Sequence, residues 1–209
     1  MSSTFKTEQE TFWAEEFGQN YISRNCSDAQ ISSNIALFSK ILSRISQIKS
    51  VIEFGANIGL NLRAIRYLCP SATLSAIEIN PQAAAELQKI EGIQVYHQSI
   101  LDDLPDLTVD FVLAAGILIH VNPDFLEQVY NKLHSVSQNY ICISEYYNPT
   151  PVEVPYRGYR NKLFKRDFAG EMLDRFPDLT LVDYGFVYHR DLNFPKDDVT
   201  WFLLKKATL

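Results

Sequence analysis

Short, nearly unbroken apolar runs alternate with apolar residues at helical spacing along most of this chain. Val51, Ile52 and Phe54 read as a short buried strand interrupted by one acid, Glu53. Gly55 and Gly59 bracket a tight turn, and Leu60, Leu62, Ile65 and Leu68 follow at helical spacing. Leu74 to Asn80 is a second strand ending in an acid, Glu78, and Pro81 suits the first turn of the alanine-rich helix after it. Ile93 to Ile100 is a third strand. Val109 to Ala115 is a fourth, opening with Asp110 and otherwise all apolar, as expected when both sheet faces are covered. A helix over Asp124 to Val136, a strand over Tyr140 to Ser144, a short helix over Asp167 to Phe176 with Asp167 as N-cap, and strands over Leu179 to Tyr188 and Val199 to Lys205 complete the run. Upstream, Phe12, Trp13, Phe17 and Tyr21 share a helical spacing that Gly18 interrupts, and Ile31 to Ile48 reads as one amphipathic helix. The pattern predicts an α/β fold: a mostly parallel sheet with helices on both faces.

The 209 residues are 46% hydrophobic, enough for one domain with a full core and some length left to cover a substrate. Residues 1–48 read as an N-terminal helical cap and 145–178 as a substrate loop or lid. Thr150 to Arg166 carries Tyr156, Tyr159 and the basic residues Arg157, Arg160, Lys162, Lys165 and Arg166, and is long for a simple connection. The net charge of −6 argues against broad attraction to nucleic acid or an anionic membrane. No apolar run approaches the roughly 20 residues that span a bilayer, and the polar, acidic start is not a secretory signal. Cys26, Cys69 and Cys142 show no metal-ligand spacing, so no metal is expected, and reduced thiols in a cytoplasmic protein fit them best.

A strand that turns through glycines into a helix lets a ligand approach bare backbone at the helix N-terminus. A dinucleotide site wants a second glycine two positions after the first, where a pyrophosphate touches the backbone. Asn57 stands there instead. The pattern Glu53-x-Gly55-x-x-x-Gly59 resembles motif I of class I S-adenosylmethionine methyltransferases. Glu53 suits the ammonium of that cofactor, and Glu78, at the end of the second strand, suits two ribose hydroxyls. Gly55, Asn57, Gly59, Asn61, Ile79, Ser99, Ile100 and Ala115 complete the expected cofactor wall, with Ser99 and Ile100 near the adenine. Arg24, just before the main domain, is a candidate partner for the cofactor carboxylate.

With these residues laid out, the chain resembles the pseudaminic-acid-biosynthesis-associated methylase family, a branch of the class I methyltransferases. The resemblance covers most of the chain. It rests on Phe12-Trp13, Glu16-Phe17-Gly18, Tyr21 and Arg24-Asn25, then on Gly55 to Leu62 and Glu78-Ile79-Asn80. It continues through Leu118 to Pro123, Glu145 to Pro149, Pro155 to Gly158, Lys165 to Glu171, Asp183 to Phe186 and Asp197 to Trp201. Motif I is widely shared, whereas the tyrosine- and arginine-rich second half is family-specific. The resemblance implies a Rossmann-like class I methyltransferase sheet, mostly parallel with a reversed terminal strand that the late strand pair fits, and methyl transfer to a small polar molecule, with S-adenosylhomocysteine as product. It suggests a sugar or nucleotide-activated sugar of nonulosonic acid and surface-glycan synthesis as acceptor. Phe54 stands where a smaller aliphatic is usual.

Methyl transfer from a sulfonium is an in-line displacement, so the protein supplies alignment and proton removal. His120, just past the fourth strand, is the first candidate base, and Glu145, at the end of the fifth, is the second. Arg157, Lys165 and Arg166, interleaved with Tyr146, Tyr147 and Tyr156, suit an anionic acceptor. His189 joins them if the last strands fold over the pocket, while His97 and His134 look peripheral. A nicotinamide-dependent sugar oxidoreductase is the alternative, opposed by Asn57 and by the lack of a Tyr-x-x-x-Lys pair at a suitable strand end. A non-catalytic cofactor-binding module is a third reading, and the oligomeric state is left open.

Overall fold

The computed structural model describes residues 5–24, 27–104 and 106–207, without the side chain of Ser23. Asn25 and Cys26, named above, lie outside the described residues. Helices α1 (Glu8–Ala14), α2 (Glu16–Arg24) and α3 (Asp28–Leu42) precede the sheet. Strand β1 (Ser50–Phe54), α4 (Leu60–Leu68), β2 (Thr73–Glu78), α5 (Pro81–Gln88) and β3 (Ile93–His97) form its first half. Strand β4 (Val109–Ala115), α6 (Leu126–Val136), β5 (Ser137–Glu145), the short pair β6 (Val152–Glu153) and β7 (Phe164–Lys165), α7 (Phe168–Arg175), β8 (Leu179–Val187) and β9 (Val199–Lys206) follow.

The sheet order is β3-β2-β1-β4-β5-β9-β8. All neighbours pair in parallel except β9, which runs antiparallel to both β5 and β8. The reversed strand is therefore inserted beside β5, and it is eight residues long. Alternate residues of each strand serve opposite cores. Ile52, Phe54, Val112, Ala114, Ile141 and Ile143 pack with α6 and α7 on one side. Val51, Phe111, Leu113 and Cys142 pack with α3, α4 and α5 on the other. Two-sided burial explains the unbroken apolar runs. At the amino edge, Asp110 staples three strands: its carboxylate accepts from the backbone N–H of Lys49 (2.6 Å) and from the Asn139 side chain (3.1 Å).

Among the boundaries that differ from the sequence pattern, three have a clear local reason. The N-terminal helix breaks at Glu15, which is extended, and not at Gly18. The Asn80 side-chain amide takes the carbonyls of Trp13 (3.0 Å) and Ala14 (3.3 Å), ending α1 there. Gly18 lies inside α2, where a Cβ would come within 1.9 Å of the Trp13 carbonyl oxygen, so close helix approach is what requires glycine. Helix α3 stops at Leu42, where the Ser43 hydroxyl bonds back to the Lys40 carbonyl at 2.8 Å. Strand β3 stops at His97 because Ser99 turns the chain, its Oγ accepting from the Leu101 N–H at 3.0 Å.

Asn80 holds two parts of the fold at once, since its Oδ1 also caps α5 through the N–H groups of Gln82 and Ala83. Asn80→Ala is expected to cost about 1–2 kcal/mol in denaturant unfolding, the worth of a lost cap. Hydrogen exchange should quicken in α1 and α2 while β1 and β4 stay protected. Unchanged stability and protection would show that this amide does not anchor the N-terminal helices.

Candidate functional site

The parallel strands end on one edge, and the order reverses between β1 and β4, so the helices diverge there and leave a crevice. A cavity of about 440 Å³ fills it. The glycine turn forms its floor: Gly55 and Gly59 have φ of 72° and 79°, and Asn57 is left-handed at 49°. Gly55 and Ala56 donate their N–H groups to the Ile77 carbonyl, at 2.9 and 3.1 Å, tying the turn to β2.

Two strand-end carboxyls face this floor. Glu78 accepts the Asn57 N–H on one oxygen and the Asn80 N–H on the other, both at 2.7 Å. Burial pushes its carboxyl upward and those backbone donors pull it back. The Asn57 N–H that a pyrophosphate would need is thus already used. Glu53 accepts from the Asn61 side chain at 2.6 Å through Oε1, while Oε2 is buried without a hydrogen-bond partner. Burial raises Glu53 to about 8. Both carboxyls keep acceptor capacity, since each carboxylate offers about four lone-pair sites.

Helices α1 and α2 supply a further wall, joined from residues 150–166 by Tyr156. The buried Glu10 completes a capping box with Thr7 and also accepts from the Ser99 hydroxyl, which joins α1 to the end of β3. The Gln9 side chain reaches the Asn161 carbonyl at 2.9 Å. Trp13 Nε1 and Gln9 Oε1 are buried without partners, and both residues line the cavity. Tyr21 lines it too, its phenol pushed up to about 12 by burial.

His120 ends a 3-10 turn, Leu118–His120, and packs against the rings of Trp13 (4.5 Å) and Tyr156 (5.0 Å). Its Nδ1 lies 2.6 Å from the Lys162 carbonyl. A carbonyl only accepts, so Nδ1 carries the proton and Nε2 the lone pair. Burial lowers His120 to about 4, so the ring is neutral at pH 7. Glu145 caps the same turn, its Oε1 accepting from Ile117 (2.9 Å) and Leu118 (2.8 Å), while Oε2 is buried without a partner. Burial raises it to about 8.

The fold gathers most of the residues selected from the sequence. Glu53, Gly55, Asn57, Asn61, Glu78, Ile79, Ser99, Ile100, Ala115, His120, Glu145, Tyr146, Tyr156 and His189 line the cavity. Gly59 stands just behind the lining as the α4 N-cap. Arg24 is exposed and lies over the Phe17 ring, outside the lining. Tyr147, Arg157, Lys165 and Arg166 are outside it too. Arg157 and Gly158, both with positive φ, form the tight turn between Tyr156 and Tyr159, and Arg157 is exposed. Lys165 lies over the Tyr146 ring, and Arg166 pairs with Glu171 at 2.7 Å. Sequence reasoning missed Gln9, Glu10, Asn34 and Lys196 as lining residues. Only the last had a signal: a reversed final strand brings the loop before it to the carboxyl edge. Among the described residues no cluster of three or more His, Cys, Asp or Glu is placed to hold a metal, and no helix is long and apolar enough to cross a membrane.

No protein-family model matches the chain, and no curated protein matches it. Solved structures do resemble it. The Burkholderia thailandensis 1,6-didemethyltoxoflavin-N1-methyltransferase, with bound 1,6-didemethyltoxoflavin and S-adenosylhomocysteine, aligns over 95% of this chain and 87% of that one, with TM-score 0.68 and 16% identity. The plantazolicin methyltransferase in complex with S-adenosylhomocysteine aligns over 95% and 94%, with TM-score 0.65 and 14% identity. The mitomycin 7-O-methyltransferase aligns over 96% of this chain but 61% of its own, with TM-score 0.68 and 11% identity. At these identities the likeness is one of fold: a class I methyltransferase sheet.

The buried carboxyls give stability a definite pH dependence. Folded values near 8 against a reference of 4.5 mean that Glu53 and Glu145 stabilise the fold fully below about 4.5 and lose that contribution as pH rises through 8. Glu78 acts in the same direction. His120, lowered from 6.5 to about 4, opposes them only below pH 6.5. Unfolding free energy of the ligand-free protein should therefore fall between pH 6.5 and 8, by about 1 kcal/mol per pH unit for each carboxyl. Glu53→Gln should remove one such share. An unchanged slope would place Glu53 in a wetter site than its burial indicates.

Proposed function

We propose that this protein is an S-adenosylmethionine-dependent methyltransferase acting on a small-molecule acceptor. The observation that carries the proposal is the pair of strand-end carboxyls on one cavity floor. Glu78 is fixed by two backbone donors with lone pairs left for ribose hydroxyls, and Glu53 holds a buried, unpartnered oxygen suited to an ammonium. The fold neighbours are methyltransferases, and two of those above contain S-adenosylhomocysteine. An oxidoreductase reading loses its pyrophosphate donor to Glu78.

When bound, S-adenosylmethionine supplies an electrophilic methyl group on a sulfonium. The chain's task is to orient the acceptor for in-line attack and to take its proton. Neutral His120, with Nδ1–H committed to the Lys162 carbonyl, presents Nε2 as a hydrogen-bond acceptor for an O–H or N–H. A histidine held near 4 is a weak base for a neutral hydroxyl. It suffices for one that is losing electron density to a new methyl bond, because that proton becomes strongly acidic as the bond forms. Glu145 acts through His120, since it fixes the turn that carries the ring.

A sugar is the favoured acceptor. The family resemblance points that way, and the Trp13 and Tyr156 rings beside Gln9 Oε1 and Trp13 Nε1 offer apolar faces and hydrogen-bonding atoms suited to a hydroxylated ring. Arg157, Lys165 and Arg166 stand outside the cavity lining, so an anionic group on the acceptor is not part of this reading.

Titration calorimetry with S-adenosylhomocysteine tests the cofactor assignment. Glu78→Ala should weaken binding by about 1–3 kcal/mol through lost charge-assisted hydrogen bonds, and wild-type affinity in that variant would remove the ribose assignment. His120→Ala should lower turnover about 10²-fold. Near-normal turnover would leave His120 a packing residue between Trp13 and Tyr156.

A further inference from the structure

The loop joining β8 to β9, residues 188–198, crosses the carboxyl edge and brings Lys196 into the cavity lining. Its ammonium donates to the Asn34 side-chain oxygen of α3, an amide that is itself 5% exposed. Among the described residues Lys196 forms no ion pair, and its other N–H donors have no protein acceptor. Burial pushes its pKa down, while Asp197 and Glu53 favour the charged form. Each of Lys196 and Glu53 lies in the other's field, and Glu53 Oε2 is a buried acceptor without a partner. This end of the cavity thus holds one partly desolvated cation with spare donors and one carboxyl with a spare acceptor. Stranding both is costly, and one ligand bearing a carboxylate beside an ammonium relieves both. An α-amino acid end has that arrangement.

We propose that Lys196 binds the α-carboxylate of the cofactor's methionine moiety, while Glu53 takes its ammonium, making the β8–β9 loop part of the cofactor site. This rests on the cofactor assignment above and takes the role that the sequence had offered to Arg24. The loop also carries His189, whose ring is held by Asp198 at 2.8 Å, into the same lining. The cofactor carboxylate therefore anchors one wall of the acceptor chamber.

Calorimetry on the full chain with two ligands tests this. One is S-adenosylhomocysteine; the other is its decarboxylated analogue, S-adenosyl-3-thiopropylamine, which keeps the adenosine and the amine. Wild type should bind the analogue at least about tenfold more weakly, a difference of about 1.4 kcal/mol. Lys196→Met should bind S-adenosylhomocysteine as weakly as wild type binds the analogue, with little discrimination left, and Lys196→Arg should restore much of it. Equal affinity of wild type for the two ligands would overturn the role of Lys196 without need of any variant. So would a folded Lys196→Met that still discriminates. If wild type bound neither ligand, the cofactor assignment itself would fall.

Discussion

The structure depends on how a carboxyl is satisfied at the buried end of β2. Glu78 is 7% exposed, and a carboxyl so placed needs hydrogen bonds in place of water. The Asn57 N–H comes from the glycine turn and the Asn80 N–H from the start of α5, so one side chain fixes both sides of the crevice floor. Asn80 then extends the chain of bonds to the carbonyls that end α1. The Glu78 carboxyl, the turn and the N-terminal wall are thus one connected network. Such networks are stable only when each member is satisfied, and among the described residues Gln9, Trp13, Glu53 and Glu145, which each keep a buried atom without a partner, all line the cavity.

Those atoms describe the ligand by its complement. At one end, Glu53 Oε2 lacks a partner and Lys196 keeps spare donors, next to a Glu78 with lone pairs left over. Elsewhere in the lining, Gln9 Oε1, Trp13 Nε1 and the free nitrogen of His120 are uncharged, and the nearby rings are aromatic. One region is therefore electrostatically specific and the other shape- and hydrogen-bond-specific. A constant cofactor fits the first and a selectable acceptor fits the second.

Much of the floor was legible in the sequence because each of its parts is local. A run of apolar residues, a pair of glycines and an acid at a strand end declare themselves within a dozen residues, and the fold joins Glu53, Asn57 and Glu78 as their spacing implied. The rest was not legible in the same way. Whether Lys165 points to a ligand or lies over Tyr146 depends on which face of a two-residue strand it occupies, and Arg166 is claimed by Glu171, which adjacency to tyrosines does not show. Gly18 looked like a helix breaker because its close approach to Trp13 is a tertiary contact. Lys196 was missed because its partner, Asn34, is 162 residues away in sequence.

The central claim is that this cavity transfers a methyl group from S-adenosylmethionine to a small acceptor. The most direct measurement incubates the protein with S-adenosylmethionine carrying a trideuterated methyl, together with a metabolite extract and nucleotide sugars, and follows products by mass spectrometry. The account predicts a heavy-methyl product that requires the protein and accumulates with S-adenosylhomocysteine in equal amount. Recovery of all the label in unreacted donor, from a protein to which S-adenosylhomocysteine does not bind, would contradict it.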